Sequence, residues 1–136
     1  MTSTGDAATQ SRTIHIPGAT IVLAPGERYS GIILAAYGVP SHHLILLPGD
    51  IEGDWKAAKY FAARAGGELP SRREQSLLIA NLKGEFKEDF YWSAEQYAGD
   101  ADRAWVQSFH DVHGFQGGAH TYDTGRARAV RRIAMR

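Results

Sequence analysis

The clearest structural signal in the chain lies in residues 71–82, which read SRREQSLLIANL. Ser71 and Glu74 form an S-x-x-E capping box, in which the side chain of each residue accepts a hydrogen bond from the backbone N–H of the other. The leucines that follow recur at helical spacing and predict one buried face: Leu77, Leu78 and Leu82. We therefore expect a helix that begins after Ser71 and ends near Gly84.

A second helix is predicted just upstream, from Trp55 to Ala65. Asp54 is placed as its N-cap, and Gly66-Gly67 ends it. The apolar residues of this segment fall on one helical stripe: Trp55, Ala58, Phe61, Ala62 and Ala65. The two helices are therefore neighbours in the chain, separated only by a short connection.

The chain on both sides of the helices has the composition of short strands. Residues 13–47 are rich in β-branched and aliphatic side chains between turn formers, and Gly31–Ala36 and His42–Leu47 are spaced as a hairpin. Later runs also predict strands, with a Gly- and His-rich connection at 110–125 before the last one: 90–93, 104–109 and 126–134. Strands, two helices and more strands give an α+β fold with an antiparallel sheet and exclude a doubly wound parallel sheet.

Composition removes several classes of function. The 136 residues contain 15 Lys+Arg and 15 Asp+Glu, so no global field attracts nucleic acid or an anionic membrane. The absence of cysteine excludes disulfides, thiolate metal sites and cysteine nucleophiles. The longest apolar run, Leu44–Leu47, is far below the ~20 residues that cross a bilayer, and the N-terminus lacks the apolar segment of a secretion signal.

The chain divides into three predicted parts. Residues 1–12 form a flexible tail, residues 13–40 a β-rich segment, and residues 41–136 the main domain. The middle segment holds apolar residues but no helix to cover them, so it packs either on another chain or on the body of the domain. We predict a homo-oligomer formed through this segment, with a trimer as one option, while an ordinary edge strand of a monomer stays open.

Four motifs in this order resemble C-type-lectin-like domains of phage and prophage proteins and of the C-termini of collagen-like bacterial adhesins: ELPSRRE (68–74), YWS (91–93), AWV (104–106) and GRARAVRR (125–132). The resemblance covers roughly residues 44–133. It implies that the two ends of the domain join in one antiparallel sheet, with two flanking helices and a long irregular loop region. It also implies that Trp92 and Trp105 fill the core.

The resemblance does not extend to known activities of this fold. Calcium-dependent sugar binding in true C-type lectins is associated with Glu-Pro-Asn or Gln-Pro-Asp and Trp-Asn-Asp elements, which this chain lacks. The sulfatase-activating oxidases that share the fold rely on cysteines, which are also missing here. The family name therefore supports a fold and leaves the chemistry to the individual residues.

The predicted binding surface lies between Gln107 and Asp123. Its residues combine apolar area with hydrogen-bonding groups on a glycine-punctuated backbone, which is typical of a recognition loop: Gln107, His110, His113, Phe115, Gln116, His120 and Tyr122. In phage relatives that bind a host, the corresponding stretch contacts the ligand, so the resemblance implies a protein or glycan ligand. A connection without any ligand is the alternative.

Metal binding, catalysis and nucleic-acid binding are not expected. The histidines at 110, 113 and 120 with Asp111 and Asp123 are the only concentration of metal ligands, but H-x2-H without a thiolate is a weak pattern. No catalytic motif assembles, so we assign no catalytic residue, metal or cofactor and predict no enzyme; the histidine pair His42-His43 is where an activity would be tested. The C-terminal arginines are expected on one sheet face, paired with Glu74, Glu95 or Asp102: Arg126, Arg128, Arg131, Arg132 and Arg136.

These observations favour a non-enzymatic recognition module of phage or prophage origin that binds a host protein or glycan. The alternative is an intracellular phage accessory protein that binds and inhibits a bacterial defence or regulatory protein. The predicted location is the cytoplasm of the producing bacterium or the virion, with no membrane partner. Finding the chain in purified virions, or only in infected cytoplasm, discriminates between the two roles.

Overall fold

The computed structural model describes residues 10–16, 18–110 and 114–135. Within these residues the chain forms ten strands, two α-helices and one 3-10 turn. The strands are β1 (Arg12–Ile16), β2 (Ala19–Leu23), β3 (Arg28–Ile33), β4 (His42–Leu46), β5 (Ile51–Gly53), β6 (Phe90–Gln96), β7 (Arg103–Ser108), β8 (Gln116–His120), β9 (Gly125–Ala127) and β10 (Val130–Ala134). The helices are α1 (Trp55–Arg64) and α2 (Arg72–Leu82), and the 3-10 turn is Lys83–Glu85.

The strands form three sheets. The order is β1-β2 in a hairpin, β10-β4-β3 in a three-stranded sheet and β5-β9-β6-β7-β8 in a five-stranded sheet. All pairs are antiparallel except β6 and β9, which are parallel. Helix α1 packs against β5, β9 and β6, whereas α2 packs against β3, β6 and β7. The predicted α+β class with two helices is confirmed.

Both helices begin where the sequence predicts. Asp54 Oδ1 accepts a hydrogen bond from the Ala57 N–H at 2.9 Å and caps α1. In the capping box of α2, Ser71 Oγ accepts from the Glu74 N–H at 3.2 Å, and Glu74 Oε1 accepts from the Ser71 N–H at 2.8 Å. Each bond satisfies a backbone donor that has no partner inside the helix. The second helix continues into the 3-10 turn, so the helical segment ends near Gly84 as expected.

Two clusters of buried side chains form the core. The first surrounds Trp92 and lies beneath α1, and the second surrounds Tyr91 and Phe109 and lies beneath α2. Tyr91 and Trp92 are neighbours in β6, so their side chains point to opposite faces of the sheet. The five-stranded sheet is therefore buried on both faces at this strand.

The β-rich N-terminal segment packs on the body of the same chain. Ile21 and Leu23 of β2 are buried in the first core cluster. Strand β3 pairs with β4 across the proposed boundary at residue 40, with Ile32 opposite His43. The predicted hairpin is confirmed, but its first strand is Arg28–Ile33 and not residues 31–36. Residues 28–33 therefore belong to the same sheet as β4 and β10. Self-association through residues 13–40 stays a prediction.

Two predictions about the secondary structure of the C-terminal third are wrong. The expected strand 126–134 is two strands in different sheets, β9 and β10, because the backbone at Arg128 and Ala129 crosses from one sheet to the other. The Arg128 guanidinium is anchored there, donating to the carbonyls of Glu85 at 2.5 Å and Leu47 at 2.8 Å.

The expected irregular connection 110–125 contains an ordered strand, β8, which pairs with β7. Its sequence QGGAH has a low propensity for strands, but pairing with a buried neighbour outweighs propensity. The glycine at 118 is needed because a Cβ there would lie 2.4 Å from the Tyr97 ring. Close approach of an aromatic ring thus explains a glycine that resembles a loop signal in the sequence.

Candidate functional site

The five-stranded sheet has a groove on the face that carries Trp92. Helix α1 covers this face over β5, β9 and β6, and the groove opens beyond it, over β7 and β8. Its volume is about 350 Å³. The residues that line it are Phe90, Trp92, Val106, Phe115, Gly117, Gly118, Ala119, Asp123, Thr124 and Gly125.

Small residues make the groove possible. A Cβ at Gly125 would lie 2.9 Å from the indole nitrogen of Trp92, and a Cβ at Gly117 would lie 2.9 Å from the Phe115 ring. Trp92 is buried, as predicted, and its indole N–H donates to the Gly53 carbonyl at 3.0 Å. The floor is therefore fixed by a satisfied, tightly packed indole.

The rim of the groove exposes aromatic side chains. Phe115 is 63% exposed and Phe90 is 40% exposed. The exposed His110 packs against Phe90, with ring centroids 5.1 Å apart. Tyr122 is 70% exposed but does not line the groove; its ring stacks on His120, with ring centroids 5.1 Å apart. Of the predicted binding residues that the structure describes, His110, Phe115 and Tyr122 are exposed. We call His110, Phe115 and Phe90, which the sequence did not predict, the aromatic rim.

Two of the predicted binding residues are instead part of a hydrogen-bonded brace. Gln107 is fully buried, so the prediction that its side chain is displayed is wrong. Its amide nitrogen donates to the Phe115 carbonyl at 3.2 Å, and its oxygen accepts from Gln116 at 2.8 Å. Gln116 in turn donates to the Arg72 carbonyl at 2.9 Å and accepts from Arg72 Nε at 3.0 Å. This brace ties β8 to the start of α2.

The remaining predicted residues are the histidines at 113 and 120. His113 and the neighbouring Asp111 lie outside the described residues. His120 is half-buried, and its Nε2 lies 3.2 Å from an Arg103 guanidinium nitrogen, which can only donate. No group of three or more His, Asp or Glu that could hold a metal occurs among the residues that the structure describes.

Trp105 does not lie in the core, contrary to the prediction. It is half-buried, and its ring lies between the Tyr97 ring, at a centroid distance of 4.5 Å, and the Arg72 guanidinium, 3.4 Å from the ring centroid. The physical reason is alternation: Val106 faces the groove, so Trp105 faces the opposite side. There the Arg72 side chain, from the first turn of α2, covers one face of the ring.

A larger cavity, of about 700 Å³, lies at the start of α2. No pattern in the sequence predicts this cavity, because its walls come from segments far apart in the chain. The available signal was Arg72-Arg73 directly after the N-cap, and we interpreted that stretch only as a capping box. The lining residues are Ile33, Ala36, Tyr37, Val39, His42, Ser71, Arg72, Arg73, Glu74, Ser76, Glu95, Gln116 and Arg132.

A buried carboxylate lies in the wall of this cavity. Glu74 Oε2 accepts from His42 Nε2 at 2.7 Å and from Arg132 Nε at 2.6 Å. Its Oε1 accepts from the Ser71 N–H and from Arg132 Nη2, both at 2.8 Å. Burial by itself raises the pKa of Glu74, but the hydrogen bonds from Arg132 and Ser71 outweigh it, so the pKa lies below its usual value. We call Glu74, His42 and Arg132 the buried ion cluster.

The buried ion cluster holds a carboxylate, and its histidine faces no nucleophile among the described residues. The hydroxyl of Ser71, which could act as one, accepts from the Glu74 N–H as a helix cap. His42 Nδ1 lies 3.1 Å from the Pro40 carbonyl, so both ring nitrogens face oxygen acceptors. A nucleophile–base pair requires the base to face the nucleophile, and this histidine does not.

The C-terminal arginines are largely paired, as expected, but with different partners. Arg132 bonds Glu74, which confirms one predicted pair. Arg126 bonds Asp50 at 2.9 Å, and Arg131 bonds Glu27 at 2.8 Å. The other two predicted acceptors, Glu95 and Asp102, do not pair with the described C-terminal arginines. Glu95 instead accepts from the Arg72 backbone N–H at 2.8 Å. Arg136 lies outside the described residues.

Comparison with known proteins does not add a family or a relative. No family model matches the chain, and no curated protein matches it either. Among the described residues, neither helix is long and apolar enough to span a membrane.

Proposed function

We propose that this protein is a non-enzymatic recognition module that binds a protein or glycan through the groove and its aromatic rim. The observation that carries the proposal is the concentration of exposed aromatic side chains around an apolar groove, at the part of the sheet that α1 leaves uncovered. Exposed apolar patches next to a concave surface mark interaction sites more often than isolated exposed residues do.

The chemistry of the groove suits a ligand with both apolar and polar groups. The faces of Phe115 and Phe90 can pack against aliphatic side chains or the C–H faces of a sugar, while Asp123 and Thr124 offer hydrogen-bonding groups on the opposite wall. The brace of Gln107 and Gln116 fixes the backbone of β8, so the rim is held before the ligand arrives. Such preorganisation reduces the entropic cost of binding.

We further propose the C-type-lectin-like fold and a phage or prophage origin. The pairing of β4 with β10 supports the fold, because it joins an early strand and the last strand in one antiparallel sheet with both helices between them in the chain. The origin rests on the four motifs alone. Neither proposal changes the groove chemistry.

A pair of single substitutions tests the function. Labelled protein is applied to a glycan array and to intact cells of candidate host bacteria, and Phe115→Ala is compared with Tyr60→Ala. Tyr60 is a matched control because it is 64% exposed, like Phe115, but lies on the outer surface of α1. We expect Phe115→Ala to weaken binding about tenfold or more and Tyr60→Ala to leave it unchanged. Equal binding by both variants and the wild type contradicts the proposal.

A further inference from the structure

We propose that the cavity at the start of α2 is a second binding site, which takes an acidic peptide segment of a partner protein. This site is separate from the groove: it lies at the N-terminal end of α2 and against the β3–β4 connection, and Arg72 and Arg73 are its central residues. Three features of the cavity indicate this ligand: its charges, its apolar wall and the turn at its edge.

Two arginines in the cavity have no carboxylate partner within the described part of the chain. Arg73 donates to the Leu34 carbonyl at 2.8 Å, and Arg72 donates to the Gln116 side chain and stacks on Trp105. By contrast, five other described arginines each pair with an acidic side chain: Arg28, Arg103, Arg126, Arg131 and Arg132. The guanidinium groups of Arg72 and Arg73 therefore retain donors for an external acceptor.

The acidic residues of the cavity are already engaged. Glu74 is held by the buried ion cluster, and Glu95 accepts from the backbone N–H of Arg72 in the first turn of α2. The lining contains three arginines and two glutamates, so its formal charge is positive with His42 counted as neutral. A guanidinium pair of this kind complements carboxylates, which Arg binds in bidentate geometry.

The opposite wall of the cavity is apolar. Ile33, Ala36 and Val39 line it, and Tyr37 lies at its edge with 92% of its surface exposed. This wall distinguishes a peptide from a small inorganic anion, because it offers area to an aliphatic side chain between the acidic ones. A nucleic-acid backbone fits less well, since its row of phosphates offers no aliphatic side chain to this wall.

The turn at the cavity edge holds Tyr37 in an unusual conformation. Ala36 and Val39 exchange backbone hydrogen bonds of 3.0 and 2.9 Å across Tyr37-Gly38, and Tyr37 has a φ of 51°. This left-handed position favours glycine or asparagine, yet an exposed aromatic residue occupies it, with its ring 5.9 Å from the Arg73 guanidinium. Backbone outliers of this kind concentrate at ligand-binding positions. Tyr37 thus offers an exposed ring at the edge of the site, beside Arg73.

Two synthetic peptides test this assignment. Glu-Glu-Leu-Glu-Glu supplies carboxylates and one aliphatic side chain, and Gln-Gln-Leu-Gln-Gln is its uncharged match. Binding is followed by calorimetry and by tryptophan emission, because the Arg72 guanidinium lies 3.4 Å from the centroid of the Trp105 ring and an anion on Arg72 changes the surroundings of that indole. We expect saturable binding of the acidic peptide only, with the emission change lost in Trp105→Phe.

Arginine variants locate the binding. Arg73→Gln is expected to weaken binding of the acidic peptide about tenfold or more, because hydrogen bonds between charged groups are stronger than neutral ones. Arg64→Gln is the matched control, since Arg64 also lies over a tyrosine ring, that of Tyr60 at 5.7 Å, but on α1. Added salt is expected to lower the affinity for the acidic peptide, because it screens the charges. Phe115→Ala should leave its affinity unchanged, which separates this site from the groove.

Four outcomes overturn the inference. The first is no saturable binding of the acidic peptide up to about 1 mM. The second is equal affinity for the uncharged peptide, and the third is an equal loss in Arg73→Gln and Arg64→Gln. The fourth is inorganic phosphate binding as tightly as the acidic peptide with the same dependence on Arg73, which would make the cavity a small-anion site and not a peptide site.

Discussion

The two faces of the five-stranded sheet differ in how they are covered. On one face, α2 packs against β6 and β7, and the polar side chains there bond to neighbouring groups: Gln75 donates to the Tyr91 carbonyl at 3.1 Å, and Gln107 joins the brace. On the other face, α1 stops short of β7 and β8, and the groove opens. Polar residues are thus buried where a helix covers the sheet, whereas aromatic residues are exposed where none does.

This difference shows why residue type alone misplaces a binding surface. Gln107 is polar and fully buried, whereas Phe115 is aromatic and mostly exposed, although eight positions separate them in one β-hairpin. A side chain is buried where a helix covers the sheet and exposed where none does, and this coverage depends on where each helix begins and ends. The following substitutions test the contrast between the covered and the uncovered face.

The largest effect is expected from Phe109→Ala on the covered face. Phe109 is buried and stacks on Phe86 with ring centroids 4.1 Å apart. Removing a buried phenylalanine leaves a cavity and costs about 3–5 kcal/mol in the free energy of unfolding. Urea unfolding followed by circular dichroism measures the change, and a loss below about 1 kcal/mol would mean that Phe109 is not enclosed.

Glu74→Gln is expected to lower the free energy of unfolding by about 3 kcal/mol. The substitution keeps the shape of the side chain but removes the charge that faces Arg132 and His42, and an uncompensated buried ion is costly. We expect a loss near the lower end of the range that is usual for breaking a buried ion pair, because the Arg132 side chain is 30% exposed. The control is Glu68→Gln: Glu68 also bonds Arg132 but is 72% exposed, so its loss should cost less than about 1 kcal/mol.

Acid should remove the contribution of Glu74 without any substitution. Its pKa is depressed in the folded protein, so its stabilisation is complete above the unfolded value near 4.5 and is lost as the pH falls through the folded pKa. The stability difference between the wild type and Glu74→Gln should therefore narrow on acidification from about pH 7 to about pH 3. Unfolding curves at several pH values measure it, and a difference that stays constant would show that Glu74 does not titrate in this range.

Gln107→Leu is expected to lower the free energy of unfolding by about 2 kcal/mol, because it leaves buried hydrogen-bonding groups of the brace without partners. The matched control is Gln96→Leu, which changes an exposed glutamine in β6 and should cost less than about 0.5 kcal/mol. Gln107→Leu should also weaken ligand binding at the groove, since Phe115 loses a support. Unchanged stability would show that the brace does not hold β8.

The sequence predicts the elements that local chemistry determines. Asp54 and the Ser71–Glu74 box mark the starts of both helices correctly, because a cap is a contact between residues three positions apart. The β3–β4 hairpin is likewise a local feature. Strand β8 is missed, since its glycines are explained only by the rings that pack against them, that of Phe115 at Gly117 and that of Tyr97 at Gly118.

The candidate sites are predicted less completely than the fold. The segment that contains Phe115 and Tyr122 is identified from composition, but the same reasoning includes the buried Gln107 and omits Phe90, which comes from another strand. The cavity at α2 is missed because Tyr37, Arg73 and Arg132 meet only after β3, α2 and β10 have packed. Both sites depend on contacts between distant parts of the chain, which composition and periodicity do not contain.

The smallest effect on stability is expected from Phe115→Ala, the same substitution as Phe109→Ala but on the uncovered face. Because 63% of the Phe115 surface is already in water, its removal should change the free energy of unfolding by less than about 0.5 kcal/mol. The two variants thus separate folding from recognition: one side chain stabilises the protein, and the other is available to a ligand. A loss of about 2 kcal/mol or more in Phe115→Ala would show that its ring closes the core over Gly117. The groove would then be a shallow extension of the core, and the aromatic rim would have no free surface for binding.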